Sequence, residues 1–178
     1  KNLRLACLLH DIGKANDGFQ RAVRGKGNQI LRHEHLSALL LTTEPFREWM
    51  KGSPHVDALV VIAAIAGHHL KARFEDFGRC LDEKESSVQL LTNSAEFRAL
   101  LTLVSQELAG PPPMAKPVPS DWTREYIAKS AGKFKRDIGH PLKEKARNEP
   151  RSRNLLLAVK AAVDPNAPVK IAMDECGL

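Results

Sequence analysis

Runs of apolar residues, separated by polar or glycine- and proline-rich breaks, divide the chain into segments of helical length. Segment 3–9 is apolar at nearly every position, which is typical of a buried helix. In segment 30–43 the apolar residues recur at helical spacing. Segment 54–66 ends in nine consecutive apolar residues before Gly67. A strand is the alternative for such a run, but its length, its alanines and Pro54 at its start favour a helix.

Weaker signals extend the same pattern through the rest of the chain. A turn-and-helix segment at 15–28 closes in a glycine-rich loop, and 110–119 is an extended, proline-rich connection. The remaining predicted helices lie between Pro45 and Gly52, over 94–108, from an Asp121 cap through Ile127, and over 154–163. We find no repeats and no β-hairpin signature. The pattern predicts one all-α domain, a helical bundle spanning 1–178.

Charge adds one local feature. The 178 residues carry a formal net charge of +6, and segment 129–153 holds nine basic and three acidic residues. Such a stretch suits a polyanion such as nucleic acid, although a solvated helix face or loop is the alternative. The candidate nucleic-acid-binding residues are Lys133, Lys135, Arg136, Lys143, Lys145 and Arg147.

The cysteines and the lack of a targeting signal indicate the expected cellular compartment. Cys7, Cys80 and Cys176 are far apart and form no C-x-x-C pair, which disfavours a disulfide framework or a zinc–thiolate site and favours a reducing cytoplasm. No apolar run is long enough to span a membrane, and no signal-peptide pattern is present. The sequence begins inside a predicted helix and has no initiator methionine. We therefore expect the chain to start within a larger protein.

Potential metal ligands cluster at the ends of the predicted helices. His10 and Asp11 end the first, His33 opens the helix at 30–43, and His68 and His69 follow the long apolar helix. Rigid helices can present neutral imidazoles and a carboxylate to a shared metal, and this donor set suits Mn, Fe, Ni, Co or Zn. Each group alone has an ordinary alternative, such as a surface ion pair or a helix C-cap.

The order of these groups matches a known pattern. The chain has Leu-Leu-His-Asp-Ile-Gly-Lys at 8–14, then Phe19-Gln20, then Arg-His-Glu-x-x-Ser-Ala at 32–38, then Gly-His-His at 67–69. It resembles the HD-superfamily nuclease domain of type I CRISPR systems, which is fused to or encoded beside the CRISPR-associated helicase. The HD-x-G-K core alone is shared by all HD phosphohydrolases. The later motifs narrow the resemblance to the CRISPR nuclease domain.

The resemblance implies an HD-like helical bundle that holds two adjacent divalent metals, among Mn, Fe, Ni, Co and Mg. Asp11 would bridge both ions, His33, His68 and His69 would hold one, and His10 would help to hold the other. Lys14 would lie near the scissile phosphate. The pattern also has an upstream His, which this sequence lacks, and a late Asp, for which Asp164 is the nearest match and Asp174 the next. If both are missing, one metal site is incomplete and activity is reduced.

The implied function is metal-dependent hydrolysis of single-stranded DNA in CRISPR interference, an antiviral defence. A CRISPR helicase and a surveillance complex would be partners, with no membrane contact, and a monomer is the default. One alternative is an HD phosphohydrolase that acts on nucleotides or cyclic dinucleotides. The other is a catalytically impaired helical module that docks a helicase or CRISPR complex. We expect His35, His55 and His140 to lie outside the metal site.

Overall fold

Helices dominate the architecture, and this confirms the predicted all-α class. The structure is a computed structural model that describes residues 1–69, 76–82, 84–108, 110, 118–139 and 141. Within these residues the helices are α1 (Asn2–Leu9), α2 (Asp17–Val23), α3 (His33–Leu41), α4 (Glu44–Lys51), α5 (Ala58–Ala66), α6 (Ala95–Ser105) and α7 (Arg124–Phe134). A 3₁₀ turn (Ile12–Lys14) follows α1, and a π-helical turn (Lys135–Gly139) follows α7. The predicted helix at 154–163 lies outside the described residues, as does most of the proline-rich connection.

A small sheet adds to the helical framework. Strands β1 (Ser87–Gln89) and β2 (Asp121–Thr123) pair antiparallel, with Val88 opposite Trp122, and both of these side chains are fully buried. The predicted Asp121 cap of α7 is wrong. Asp121 belongs to β2, and Thr123 caps the helix by accepting a hydrogen bond from the Tyr126 amide.

Helix α3 is the centre of the core. Every residue from His33 to Leu41 is buried, because α4, α5, α7 and the 3₁₀ turn pack around it. Helix α1, which was predicted to be buried, is instead partly exposed. It packs against α5 and α6 along one face only, and Leu3 on its outer face is 76% exposed. Uniform hydrophobicity therefore did not distinguish the central helix from a peripheral one.

The ends of α3 and α5 are set by local capping. Helix α5 begins at Ala58 rather than near Pro54, because the Asp57 side chain accepts hydrogen bonds from the amides of Leu59 and Val60. It ends at Ala66, before Gly67. The C-terminal end of α5 and the N-terminal end of α3 therefore carry the histidines predicted as ligands. None of the helices in the described part of the chain combines the length and the hydrophobicity needed to cross a bilayer.

Gly13 allows the 3₁₀ turn to lie directly on α3. Its amide donates to Ser37 Oγ at 2.8 Å, and the same hydroxyl donates to the His10 carbonyl at 2.8 Å. A Cβ on Gly13 would lie 2.3 Å from the His33 carbonyl oxygen and 2.6 Å from the Ser37 amide nitrogen. The φ of Gly13 is not positive, so this glycine does not end a helix in the left-handed conformation. Glycine is needed here for close backbone approach.

We predict that Gly13→Ala destabilises the protein by about 1–3 kcal/mol or more, because the obstructing atoms belong to the backbone of α3 and cannot rotate away. The matched control is Gly132→Ala in α7, where an added Cβ meets nothing within 4 Å. That change should stabilise by about 0.5–1 kcal/mol through helix propensity. Urea unfolding of both variants is the measurement. Equal stability of the two variants would contradict the packing described here.

Candidate metal centre

Three separate segments bring five of the predicted ligands together. His10 and Asp11 follow α1, His33 is the first residue of α3, and His68 and His69 follow α5. The Nε2 atom of His33 lies 3.2 Å from Asp11 Oδ1 and 3.0 Å from His69 Nε2. One ring nitrogen from each of His33, His68 and His69 lies within 4.8 Å of the others, so these three histidines could hold a metal ion.

The two oxygens of Asp11 face different groups. Oδ1 points to His33 and His68, whose Nε2 atoms lie 3.2 and 3.8 Å away. Oδ2 lies 3.1 Å from His10 Nε2 and accepts a hydrogen bond from Lys14 Nζ at 2.7 Å. The carboxylate therefore lies between the three-histidine cluster on one side and His10 on the other.

Backbone carbonyls define the tautomers of two of the imidazoles. His10 Nδ1 lies 2.7 Å from the Cys7 carbonyl oxygen, and His68 Nδ1 lies 2.6 Å from that of Ile65. A carbonyl oxygen only accepts, so each Nδ1 carries the hydrogen. In a neutral ring, Nε2 then carries a lone pair and no hydrogen. In both residues this atom faces Asp11. A hydrogen bond from the second ring nitrogen to a carbonyl is the usual support of a metal-bound histidine.

As a result, hydrogen-bond acceptors face each other in the site. Asp11 Oδ1 and His68 Nε2 are buried and have no hydrogen-bond partner among the described residues. Two facing acceptors repel each other unless a cation or a proton lies between them. Imidazole and carboxylate donors without a thiolate suit a first-row divalent metal. The residues present therefore fit a divalent metal ion.

Burial keeps two of the histidines, His33 and His68, in the neutral form that binds metals. Burial lowers the pKa of His33 to about 4, although the neighbouring carboxylates of Glu34 and Asp11 oppose the change. The pKa of His68 is also lowered by burial, against the effect of the hydrogen bond to Ile65. Burial alone would raise the pKa of Asp11, but the Lys14 hydrogen bond and the nearby histidines outweigh it, so its pKa is lowered. Neutral imidazoles thus face an ionised carboxylate near neutral pH.

Phe19 and Gln20 form one wall of the site. The Phe19 ring meets His33 edge-on at 5.4 Å between centroids, and Lys14 Nζ lies 5.5 Å from the centre of the same ring. Gln20 Nε2 donates to the Lys14 carbonyl oxygen at 3.2 Å, which ties α2 to the 3₁₀ turn. The Phe-Gln pair therefore fixes the positions of His33 and Lys14.

Glu34 is a site residue that the sequence reasoning missed. It is almost fully buried, is paired with the Arg32 guanidinium, and holds Oε2 3.5 Å from His33 Nδ1. Burial would raise its pKa, but its own backbone amide and Arg32 lower it, so the group is ionised. A buried carboxylate at this distance orients the ring of His33. Its sequence signals were its position beside a candidate ligand and its place in the Arg-His-Glu-x-x-Ser-Ala motif at 32–38.

The other predicted residues lie elsewhere. His35 is fully buried against Phe77, outside the cluster as expected. Lys133 borders a cavity with Thr42 and Asp57, near the ends of α3 and α5 opposite the histidines. Lys135 and Arg136 lie in the π-helical turn. The predicted residues outside the described part of the chain are Asp164, Asp174, His140, Lys143, Lys145 and Arg147.

We predict that Mn²⁺ raises the melting temperature of the protein and that Asp11→Asn and His68→Gln abolish most of this rise. Each change removes a ligand while preserving side-chain size, so ligand-linked stabilisation is lost. His55→Asn is the control, because His55 is exposed and has a positive φ of 66°, which Asn tolerates. Thermal unfolding with and without Mn²⁺ is the measurement. A full Mn²⁺-dependent rise in both ligand variants would place the metal elsewhere.

Comparison with known proteins agrees with this geometry. A family model described as HD domain matches residues 1–103. A putative CRISPR-associated nuclease/helicase Cas3 from Myxococcus xanthus (strain DK1622) is 30% identical over 127 residues, which cover 68% of this chain and 17% of that protein. No solved structure matches the chain. The resemblance drawn from the motifs is confirmed: the chain is similar to a Cas3-type nuclease/helicase and belongs to the HD domain family.

Proposed function

We propose that this HD domain is a metal-dependent nuclease that hydrolyses phosphodiester bonds, preferably in single-stranded DNA, during CRISPR interference. The observation that carries the proposal is the position of Asp11, with one oxygen toward three histidines and the other toward His10 and Lys14. Similarity to a protein named as a putative CRISPR-associated nuclease/helicase supports a nucleic-acid substrate and a role in CRISPR interference. That relative is much longer than this chain, so its helicase and surveillance-complex partners are part of the proposal.

The five clustered residues would hold the metals. His33, His68 and His69 would bind one divalent ion with Asp11, and His10 would share Asp11 with a second ion, for which Asp164 remains a predicted further ligand. Bound there, divalent ions would supply Lewis-acid chemistry, which polarises a phosphate ester and activates water at neutral pH. The candidate ions are Mn, Fe, Ni, Co and Mg, and thermal unfolding with each of them in turn would identify the ions that bind.

The protein side chains prepare the site for this chemistry. Lys14 places an ammonium group beside Asp11, where it can contact a non-bridging phosphate oxygen. The carbonyls of Cys7 and Ile65 keep the Nε2 lone pairs of His10 and His68 directed at the centre. The Ser37 hydroxyl is engaged with His10 and Gly13, so it is not offered as a nucleophile. Water is therefore the attacking group in this proposal.

We predict that the protein linearises and degrades a circular single-stranded DNA in Mn²⁺, and that EDTA abolishes the reaction. A circle requires an internal cut. Asp11→Asn should lower the rate by at least about 100-fold, because charge stabilisation by both ions is lost, whereas His55→Asn should cleave as the wild type does. Cleavage that survives in Asp11→Asn would contradict the assigned site. Hydrolysis of nucleoside phosphates without cleavage of the circle would favour the nucleotide-directed alternative, and metal-free, inactive protein with an intact fold would favour the docking module.

We predict that Lys14→Met slows DNA cleavage by about 100-fold while keeping the Mn²⁺-dependent rise in melting temperature. Lys14 would act on the phosphate rather than on the metal, and loss of one donor to a developing charge costs about this much. Lys14→Arg should recover part of the rate. Single-turnover cleavage rates provide the comparison. An unchanged rate in Lys14→Met, with metal bound, would remove Lys14 from the reaction.

A further inference from the structure

A groove leads away from the metal centre between α2 and α6. It is a cavity of about 620 Å³ that begins at Asp11 and Lys14. Arg21 and Arg24 line it on the α2 side, and Leu91, Phe97 and Leu100 line it on the other. We call it the α2–α6 groove. Of the predicted nucleic-acid-binding residues, the three that the structure describes, Lys133, Lys135 and Arg136, do not border it.

Arg24 presents an uncommitted positive charge to this groove. Gln20 is tied to the Lys14 carbonyl, and Arg24 lies four residues beyond Gln20, about 6 Å further along the helix axis. Within the described residues its guanidinium has no hydrogen bond or ion pair. Arg21, in contrast, is held by Asp17 at 3.4 Å and Glu85 at 2.9 Å.

The opposite wall is apolar, with one acid at its edge. Leu91 is 38% exposed, Leu100 is half-buried, and Phe97 beneath them is buried. Glu96, in the first turn of α6, is exposed and also borders the groove. Asp17 also borders the groove on the α2 side, where it is paired with Arg21. Lys14 and Arg24 on that side and apolar surface on the other match the two faces of a single nucleic-acid strand, because phosphates bind cations and bases pack on apolar surfaces.

We infer that the α2–α6 groove binds the part of a single DNA strand next to the scissile phosphate. Lys14 and Arg24 contact successive phosphates, and bases lie against Leu91 and Leu100. Glu96 weakens binding of the polyanion. This inference rests on the proposed function and deepens it, because a groove that continues past the metal centre fits a polymer rather than a mononucleotide.

The test is binding of a fluorescein-labelled oligothymidylate by fluorescence anisotropy in EDTA, where cleavage is blocked, at several salt concentrations. Arg24→Ala should weaken binding by about two- to fivefold and reduce the slope of log K against log salt by about 0.7, the value for one phosphate contact on a single strand. Glu96→Gln should tighten binding. The gain in Glu96→Gln cannot arise from misfolding.

Matched controls make the same changes in charge outside the groove. Arg98→Ala removes an exposed arginine from α6 outside the groove, and Glu125→Gln removes an exposed acid from α7. Both should bind as the wild type does. If the wild type cleaves the circular DNA but Arg24→Ala and Glu96→Gln match their controls, the groove assignment is wrong and the proposed function stands. If the wild type neither binds nor cleaves single strands, both are overturned.

Discussion

The whole site depends on one hydroxyl group. Ser37 Oγ accepts from the Gly13 amide and donates to the His10 carbonyl, so both sides of Asp11 are fastened to α3. Ser37 lies one helical turn beyond His33, and this spacing brings the carboxylate to the imidazole. The contact is close enough that the backbone of the 3₁₀ turn touches the backbone of α3 at Gly13. A side chain at Gly13 or a missing hydroxyl at Ser37 would separate ligands that are far apart in sequence.

Electrostatics makes the metal centre a second constraint on the fold. Helix packing brings the carboxylate of Asp11 against the imidazoles of His33 and His68, with Asp11 Oδ1 and His68 Nε2 unpartnered among the described residues. The core formed by α1, α3 and α5 therefore carries an unfavourable cluster that a divalent cation would relieve. We expect metal binding and stability to be coupled for this reason.

Local patterns in the sequence predicted much of this architecture. Apolar runs and breakers located the helices. Positions at the predicted helix ends grouped His10, Asp11, His33, His68 and His69, and the resemblance added their expected roles. Long-range packing was not visible in the same way. The pairing of Val88 with Trp122, the enclosure of α3 and the close contact at Gly13 all depend on residues distant in sequence. The support of His33 by Glu34 and the α2–α6 groove likewise emerge only when the segments are assembled.

The most direct test of the central claim is a crystal structure of the protein with Mn²⁺, using anomalous scattering to locate the ion. The account predicts an anomalous peak within bonding distance of Asp11, His33, His68 and His69, with the His33 and His69 Nε2 atoms moved apart from their 3.0 Å contact. A peak at another set of residues, or none with that contact intact, would contradict it.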